Sequence, residues 1–332
     1  MNRNMVIDLN NIIGVRDSSQ NIIERIYNSN SQIIWELDSH HEYPDDDYKN
    51  QYFTITPDKT FFNLYPQNEW RIEIFTKGAP ETYYRIDKGG WTQAALNTSI
   101  HFIGWHEIQI KCNAVWEYND YPIGSLSDFS DKINSILVKN GINSIDITYS
   151  VSGNIQSLIY GDSFRSKEDA LDYAFGNIFG GQSNLISAEN LILPSGKIGY
   201  RSFEGMFYHC SNLSKAPGLS SISLSGYCYH IMFEDCSSLI KAPLLPATYI
   251  PIGAYDYMFN GCSKIKYIEC YALRNETGYY INNWLQATDD NGTMVVKMPV
   301  DKWNQLGDDE TRRKYYSWLS IPESWELINI VD

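Results

Sequence analysis

One word recurs in the second half of the chain. MFYHCSNL, MFEDCSSL and YMFNGCSKI place Met206, Met232 and Met258 at intervals of 26 residues. Phe207, Phe233 and Phe259 keep the same step, as do Cys210, Cys236 and Cys262, and Leu213, Leu239 and Ile265 close each word. Upstream of each Met, an aromatic (Phe203, Tyr229, Tyr255) stands three residues before it and a small residue (Ser202, Cys228, Ala254) four before it. Leu193, Leu219 and Leu245 also recur at 26. A fixed period in the twenties means one strand-plus-turn unit per copy, stacked so that neighbours bury a continuous core. An earlier, degenerate copy, NIFGGQSNLI, sets Ile178 and Phe179 in the Met-Phe positions and carries a two-residue insertion before Leu193. An atypical copy is expected at the end of a stack.

The repeating cysteine is read as a small buried filler. Its position holds Gln182 in the first copy, and the neighbouring small position accepts Ser, Cys or Ala, an exchange that catalysis or metal ligation would not tolerate. None of the six cysteines forms a CxxC pair, so a zinc or redox motif is unsupported, and a disulfide ladder would need an oxidising compartment. The residues after Met-Phe do vary, so Tyr208, His209, Glu234 and Asp235 are candidate partner-facing positions along the edge of the stack. An ordinary solvated turn fits them equally.

Ahead of the repeats the patterning is mostly that of strands. Residues 22–27 and 32–35 read as a hairpin across Asn28-Ser29-Asn30-Ser31. His40, His41 and the acids around them, up to Asp47, have no spacing that fixes a metal and read as a solvated linker. From 51 to 113, YFTITP, WRIEIF, YYRIDKGGW, SIHFIGW and HEIQIKC alternate apolar and polar residues between turn residues, which suits a small immunoglobulin-like sandwich. A helix is expected over 127–139, with Ile133, Ile136 and Leu137 on one face and Asn140-Gly141 as its stop. A second is expected after a capping box at Ser166 and Asp169, with Leu171, Ala174, Phe175 and Ile178 at i, i+3, i+4 and i+7. Residues 302–319 are read as a third, with Tyr315, Trp318 and Leu319 on one face.

Composition limits the function classes. The formal net charge of −14 argues against nucleic acid, which wants a basic face, and no run approaches a membrane span. The opening MNRNMVIDLNN, broken by Asp8 and asparagines, lacks the apolar core of a signal peptide. The 25 Tyr and 9 Trp suit strand and core positions as well as sugar-stacking surfaces. Nucleophile elbows, P-loops, GxGxxG turns and HExxH pairs are absent, and no two carboxylates stand apart as a glycosidase pair. His209 and His230 sit at variable positions and read as solvent-facing. No catalytic residue, metal or cofactor is expected.

The MFxxCxxLxxAP word followed by a Leu-Pro step resembles the BspA-like class of leucine-rich repeats, found in surface proteins of gut and oral bacteria and in their phages; the likeness covers about 171–271. The tail resembles the C-terminal cap of such proteins, with Trp284, Gly292, Pro299, Trp303, Ile321, Pro322 and Trp325 at the matching positions. IIERIYNSNSQIIWE is similar to a short N-terminal module of structural proteins in tailed (crAss-like) phages of gut Bacteroides. YYRIDKGGW and VSGNIQSLIYGDSF are similar to linkers of those proteins. The expected fold is therefore mainly β with short helices. It comprises a β anchoring module (1–37), an acidic linker (38–50), an immunoglobulin-like sandwich (51–118), an α+β connector (119–165), a leucine-rich-repeat solenoid (166–271) and a cap (272–332). The resemblance implies a virion structural protein, a tail or head fibre without enzymatic activity, made in the host cytoplasm. It would bind other virion proteins through its N-terminus and a bacterial surface glycan or protein through the repeats, as a homo-oligomer, a trimer by analogy, without membrane insertion. A bacterial surface adhesin of the same repeat class and a carbohydrate-active enzyme are the alternatives.

Overall fold

The computed structural model describes residues 25–27, 33–36, 51–64, 66–77, 80–116, 129–140, 147–273, 281–286, 288 and 292–330. The chain is mainly β with few short helices. Strands β1 (Arg25–Tyr27) and β2 (Ile33–Glu36) pair antiparallel, the hairpin that the Asn-Ser turn implied. The histidine-acid run at 40–47 lies outside the described residues.

Two sheets share the next core. One has four strands, in the order β7 (Thr98–Ile103), β4 (Glu69–Lys77), β10 (Phe129–Asn140) and β9 (Val115–Trp116). The other has six: β12 (Leu185–Ile192), β11 (Tyr149–Asn154), β3 (Phe53–Pro57), β8 (Ile108–Asn113), β5 (Glu81–Ile86) and β6 (Thr92–Gln93). Alternation places Trp70, Ile72 and Ile74 of β4 against Phe53, Ile55, Ile108 and Ile110, all buried. Each such side chain contributes on the order of 1.5–3 kcal/mol on burial.

The helix expected over 127–139 is instead the strand β10, antiparallel to β4, with Ile136 opposite Ile74 and Val138 opposite Ile72. Ile136 and Val138 are buried while Lys139 is exposed, a period of two that β-branched residues suit. The two sheets thus draw on strands well past residue 118, and β11 pairs in parallel with β12, which leads into the repeats.

From 171 onward the 26-residue copies stack in register through a hydrogen-bond pattern that repeats every two residues. Phe203, Gly205, Phe207 and His209 donate their backbone N–H groups to the carbonyls of Cys228, His230, Met232 and Glu234 in the next copy. The intervening Met206, Tyr208 and Cys210 instead donate three residues back, to Phe203, Gly205 and Phe207. Every fourth residue takes a left-handed conformation: Arg201, Gly205 and His209 in one copy, Tyr227, Ile231 and Asp235 in the next, Gly253, Tyr257 and Gly261 in the third. Most backbone N–H groups of this folded ribbon thereby find partners without helix or long strand.

The same pattern occupies the second expected helix. Tyr173 and Asn177 are left-handed, and Tyr173, Phe175 and Asn177 donate to Tyr200, Ser202 and Glu204 of the following copy. A left-handed residue every fourth position gives the apolar spacing of a helix while preventing one. Asp169, assigned to a capping box, accepts from the backbone N–H of Lys197 at 2.7 Å.

Two aromatic ladders run through the stack. Phe179, Phe207, Phe233 and Phe259 stack at 5.6, 5.4 and 5.7 Å between ring centroids. Phe175, Phe203, Tyr229 and Tyr255 stack beside them at 5.4, 5.8 and 6.2 Å. Both end on Trp284, whose carbonyl accepts from Phe259 as Met258 accepts from Phe233. Residues 281–286 therefore form a further copy, one beyond the 271 boundary that the repeating word suggested.

The C-terminal segment closes the stack with three parallel strands, β13 (Tyr267–Cys270), β14 (Thr293–Lys297) and β15 (Glu326–Ile330). Trp284, Trp303 and Trp325 are buried there, and Gly292 lies so close to the Trp325 ring that a Cβ would sit 2.2 Å from it. The single helix expected over 302–319 is divided into Val300–Leu306, Asp309–Tyr315 and a 3-10 turn Ser317–Leu319. Gly307 in the left-handed region ends the first helix, and Asp308 caps the second by accepting from Thr311 N–H at 2.8 Å.

Candidate functional site

The word residues Met206, Phe207, Cys210 and Leu213, with their counterparts Met232, Phe233, Cys236, Leu239, Met258, Phe259, Cys262 and Ile265, are all fully buried. Their cysteines do more than fill space. The thiols of Cys210, Cys236 and Cys262 donate to the carbonyls of Phe179, Phe207 and Phe233 in the preceding copy at 3.1, 3.1 and 3.0 Å. Burial pushes the Cys210 thiol up to about 12 and also raises those of Cys236 and Cys262. A protonated, solvent-excluded thiol is neither nucleophile nor metal ligand at neutral pH. In the first copy Gln182 keeps the position polar, its Oε1 accepting from Val138 N–H at 3.4 Å. That contact belongs to β10, so the Gln marks the junction with the sheets.

The four edge residues come together on adjacent copies. Tyr208 and Glu234 occupy one position of the period and His209 and Asp235 the next. His209 Nε2 lies 3.5 Å from Asp235 Oδ2, both side chains about half exposed. The Tyr208 ring meets the His209 ring edge-on at 3.9 Å, and Asn260 Nδ2 donates to Glu234 Oε1 at 2.6 Å. His209 and Asp235 are both left-handed, and Gly181 and Gly261 take that position in the flanking copies.

A second row was legible only through the 26-residue register. Glu204, His230, Asp256 and Asn282 share the position two before Met (Trp284 in the last copy). His230 Nδ1 is 3.0 Å from Glu204 Oε1, and Asn282 Nδ2 donates to Asp256 Oδ2 at 2.8 Å. Burial alone would raise the Glu204 carboxyl, but hydrogen bonds from His230 and Arg201 outweigh it and hold it below its ordinary value. His230 is thus half-buried and paired, in contrast to the solvent-facing position expected for it. These rows can present alternating donors and acceptors to a partner surface; they bring no nucleophile to a base.

Among the described residues no group of three or more His, Cys, Asp or Glu is placed to hold a metal, and no helix is long and apolar enough to cross a membrane. No protein-family model matches the chain, and neither a curated protein nor a solved structure matches it.

Proposed function

We propose that the chain is a non-enzymatic virion structural protein of a tailed phage, a tail or head fibre whose repeats form a BspA-like leucine-rich-repeat solenoid that contacts the bacterial surface. The observation that carries this reading is the division of labour within each copy. The constant positions are sealed inside, and the varying ones, Tyr208, His209, Glu234 and Asp235, line an edge. A recognition surface needs that separation, because side chains on the edge can change without disturbing the core. In the same proposal the N-terminal hairpin is the anchor to the particle, the two-sheet unit is an immunoglobulin-like spacer, and several copies per virion turn weak contacts into firm attachment. The buried, protonated thiols suit assembly in a reducing cytoplasm.

Immunogold electron microscopy on material from the native source, with antibody against the repeats, tests the assignment. Gold on phage tails or capsids is the expected result. Gold on the bacterial envelope with bare particles would replace it with the adhesin.

A further inference from the structure

The two-sheet unit carries a cluster that the repeats do not explain. Tyr83 and Arg85 on β5 and Lys111 on β8 share one sheet face, since Tyr83 pairs with Lys111 and Arg85 with Gln109. Trp91 immediately precedes β6 and Tyr52 immediately precedes β3. Arg165 reaches in from the 3-10 helix Gly161–Ser166. These residues converge: Arg85 lies 4.7 Å from the Trp91 ring and 5.3 Å from Tyr52, and Lys111 lies 4.5 Å from Trp91 and 5.6 Å from Tyr83. Arg165 stands 5.2 Å from the Tyr52 ring, and Tyr52 and Trp91 meet edge-on at 4.8 Å.

In a chain of net charge −14, three cations gathered on these rings require an electrostatic explanation. Asp162 answers Lys111 directly, accepting from its Nζ at 2.8 Å and from the Tyr52 hydroxyl at 2.5 Å, and its charge also reaches Arg165. The Arg85 guanidinium donates its Nε to Gln109 at 2.7 Å, and that of Arg165 donates to the Asp162 backbone carbonyl at 3.4 Å. Among the described residues neither forms an ion pair with a carboxylate. Two guanidiniums beside a paired lysine leave the cluster electropositive, complementary to an anion. An inorganic ion would have no use for the half-exposed Trp91 and Tyr83 rings, whereas a sugar stacks its C–H face on such surfaces. A polynucleotide offers a comparable anionic charge, and the titrations below separate it from a saccharide.

We propose that this cluster is a binding site for an acidic saccharide, stacked on Trp91 with its anionic group held by Arg85 and Arg165. The site is separate from the repeat edge and does not depend on the virion assignment.

Isothermal titration calorimetry of the full chain tests it with four probes: polygalacturonate, chondroitin sulfate, neutral amylose and oligodeoxythymidine. One or both acidic polysaccharides should bind, more weakly as salt rises, with amylose bound far less. Trp91→Ala and Arg85→Ala should each weaken that binding about tenfold or more. Arg165→Ala, an exposed change that leaves the fold intact, should do the same, and Lys215→Ala on the repeats should have no effect. The proposal is overturned if neither acidic polysaccharide binds, if amylose binds equally well, or if the Arg165 variant keeps full affinity. Tighter binding of oligodeoxythymidine than of either polysaccharide would replace it with a nucleic-acid site.

Discussion

Replacing Cys236 by alanine separates a structural thiol from a chemical one. The substitution deletes one buried heavy atom, about the size of a methylene, at a cost near 0.8 kcal/mol in transfer free energy. The void, ~20 Å³, adds about 0.5 kcal/mol if the neighbours do not close on it. The lost thiol bond adds little, because the Phe207 carbonyl it meets at 3.1 Å still accepts from Cys210 N–H at 3.0 Å. The acceptor is therefore not orphaned, and the full penalty for a buried unsatisfied group does not apply. The sum is roughly 1.5 kcal/mol, which thermal unfolding of the full chain, with an unfolding entropy of about 0.7 kcal/mol per kelvin, would register as a fall of about 2 °C in Tm. Cys236→Ser, which keeps a donor toward the same carbonyl, should cost less than alanine. Adsorption to bacteria should be unchanged in both variants when they are assayed folded. Alanine that abolished adsorption while leaving Tm in place would refute the reasoning, as would rapid labelling of the native thiol by a disulfide reagent.

Three further outcomes follow from the same core. The buried thiols make stability fall with alkali: an unfolded cysteine releases its proton near 9, whereas Cys210 and Cys270 hold theirs to about 12 in the folded chain. The folded state thus binds more protons across that window, so the thiols' contribution to the unfolding free energy should be level below pH 9 and decline above it, by up to about 1.4 kcal/mol per pH unit for each thiol, measurable by denaturant titration. Phe233→Ala removes a ring stacked at 5.4 and 5.7 Å on its two neighbours and should cost about 3–5 kcal/mol, read as a lowered denaturant midpoint. Gly253→Ala places a methyl 2.3 Å from the Tyr227 ring at a φ of +68°, and should destabilise by about 2 kcal/mol or more, whereas Gly181→Ala, with the same handedness and open space around it, should cost only about 1.

What could be read from the sequence was whatever kept a strict register. The repeat core, with its Met, Phe, Cys and Leu positions, was legible because a ladder forces size to match copy by copy. The copy at 281–286 was not, since Trp284 replaces Met and Leu285 replaces Phe, so the word dissolves although the hydrogen bonds persist. Both misread helices trace to periodicity. At 171–178 a left-handed residue every four positions imitates the helical spacing; in β10 a run of three apolar residues, Ile136, Leu137 and Val138, hid an alternation that only the pairing with β4 makes plain. The edge residues were legible as variable positions. The Tyr52–Arg85–Trp91–Arg165 cluster was not, because its members come from strands and turns scattered over more than a hundred residues and no local spacing joins them.

The boundary between sheets and repeats disappears in the packing, and this bears on how the stack is held. Phe53 of β3 stacks on Phe179 at 5.7 Å, so the phenylalanine ladder begins inside the two-sheet unit and ends on Trp284. Ile136 of β10 donates to the Ile178 carbonyl at 3.1 Å, and Asn184 Nδ2 donates to the Val138 carbonyl at 2.9 Å. The first copy is therefore covered by strands rather than by a cap of its own. In a stack whose stability is a sum of copy and interface terms, losing one end exposes the copy beside it. A fragment of residues 171–332 should keep slow amide exchange over 206–270 but exchange rapidly over 171–192, where the full chain is protected. Equal protection of both segments in the fragment would mean that the sheets merely abut the repeats. Selective loss at 171–192 would mean that they serve as the missing N-terminal cap, which would hold the Tyr208–Asp235 edge in fixed orientation relative to the sheets.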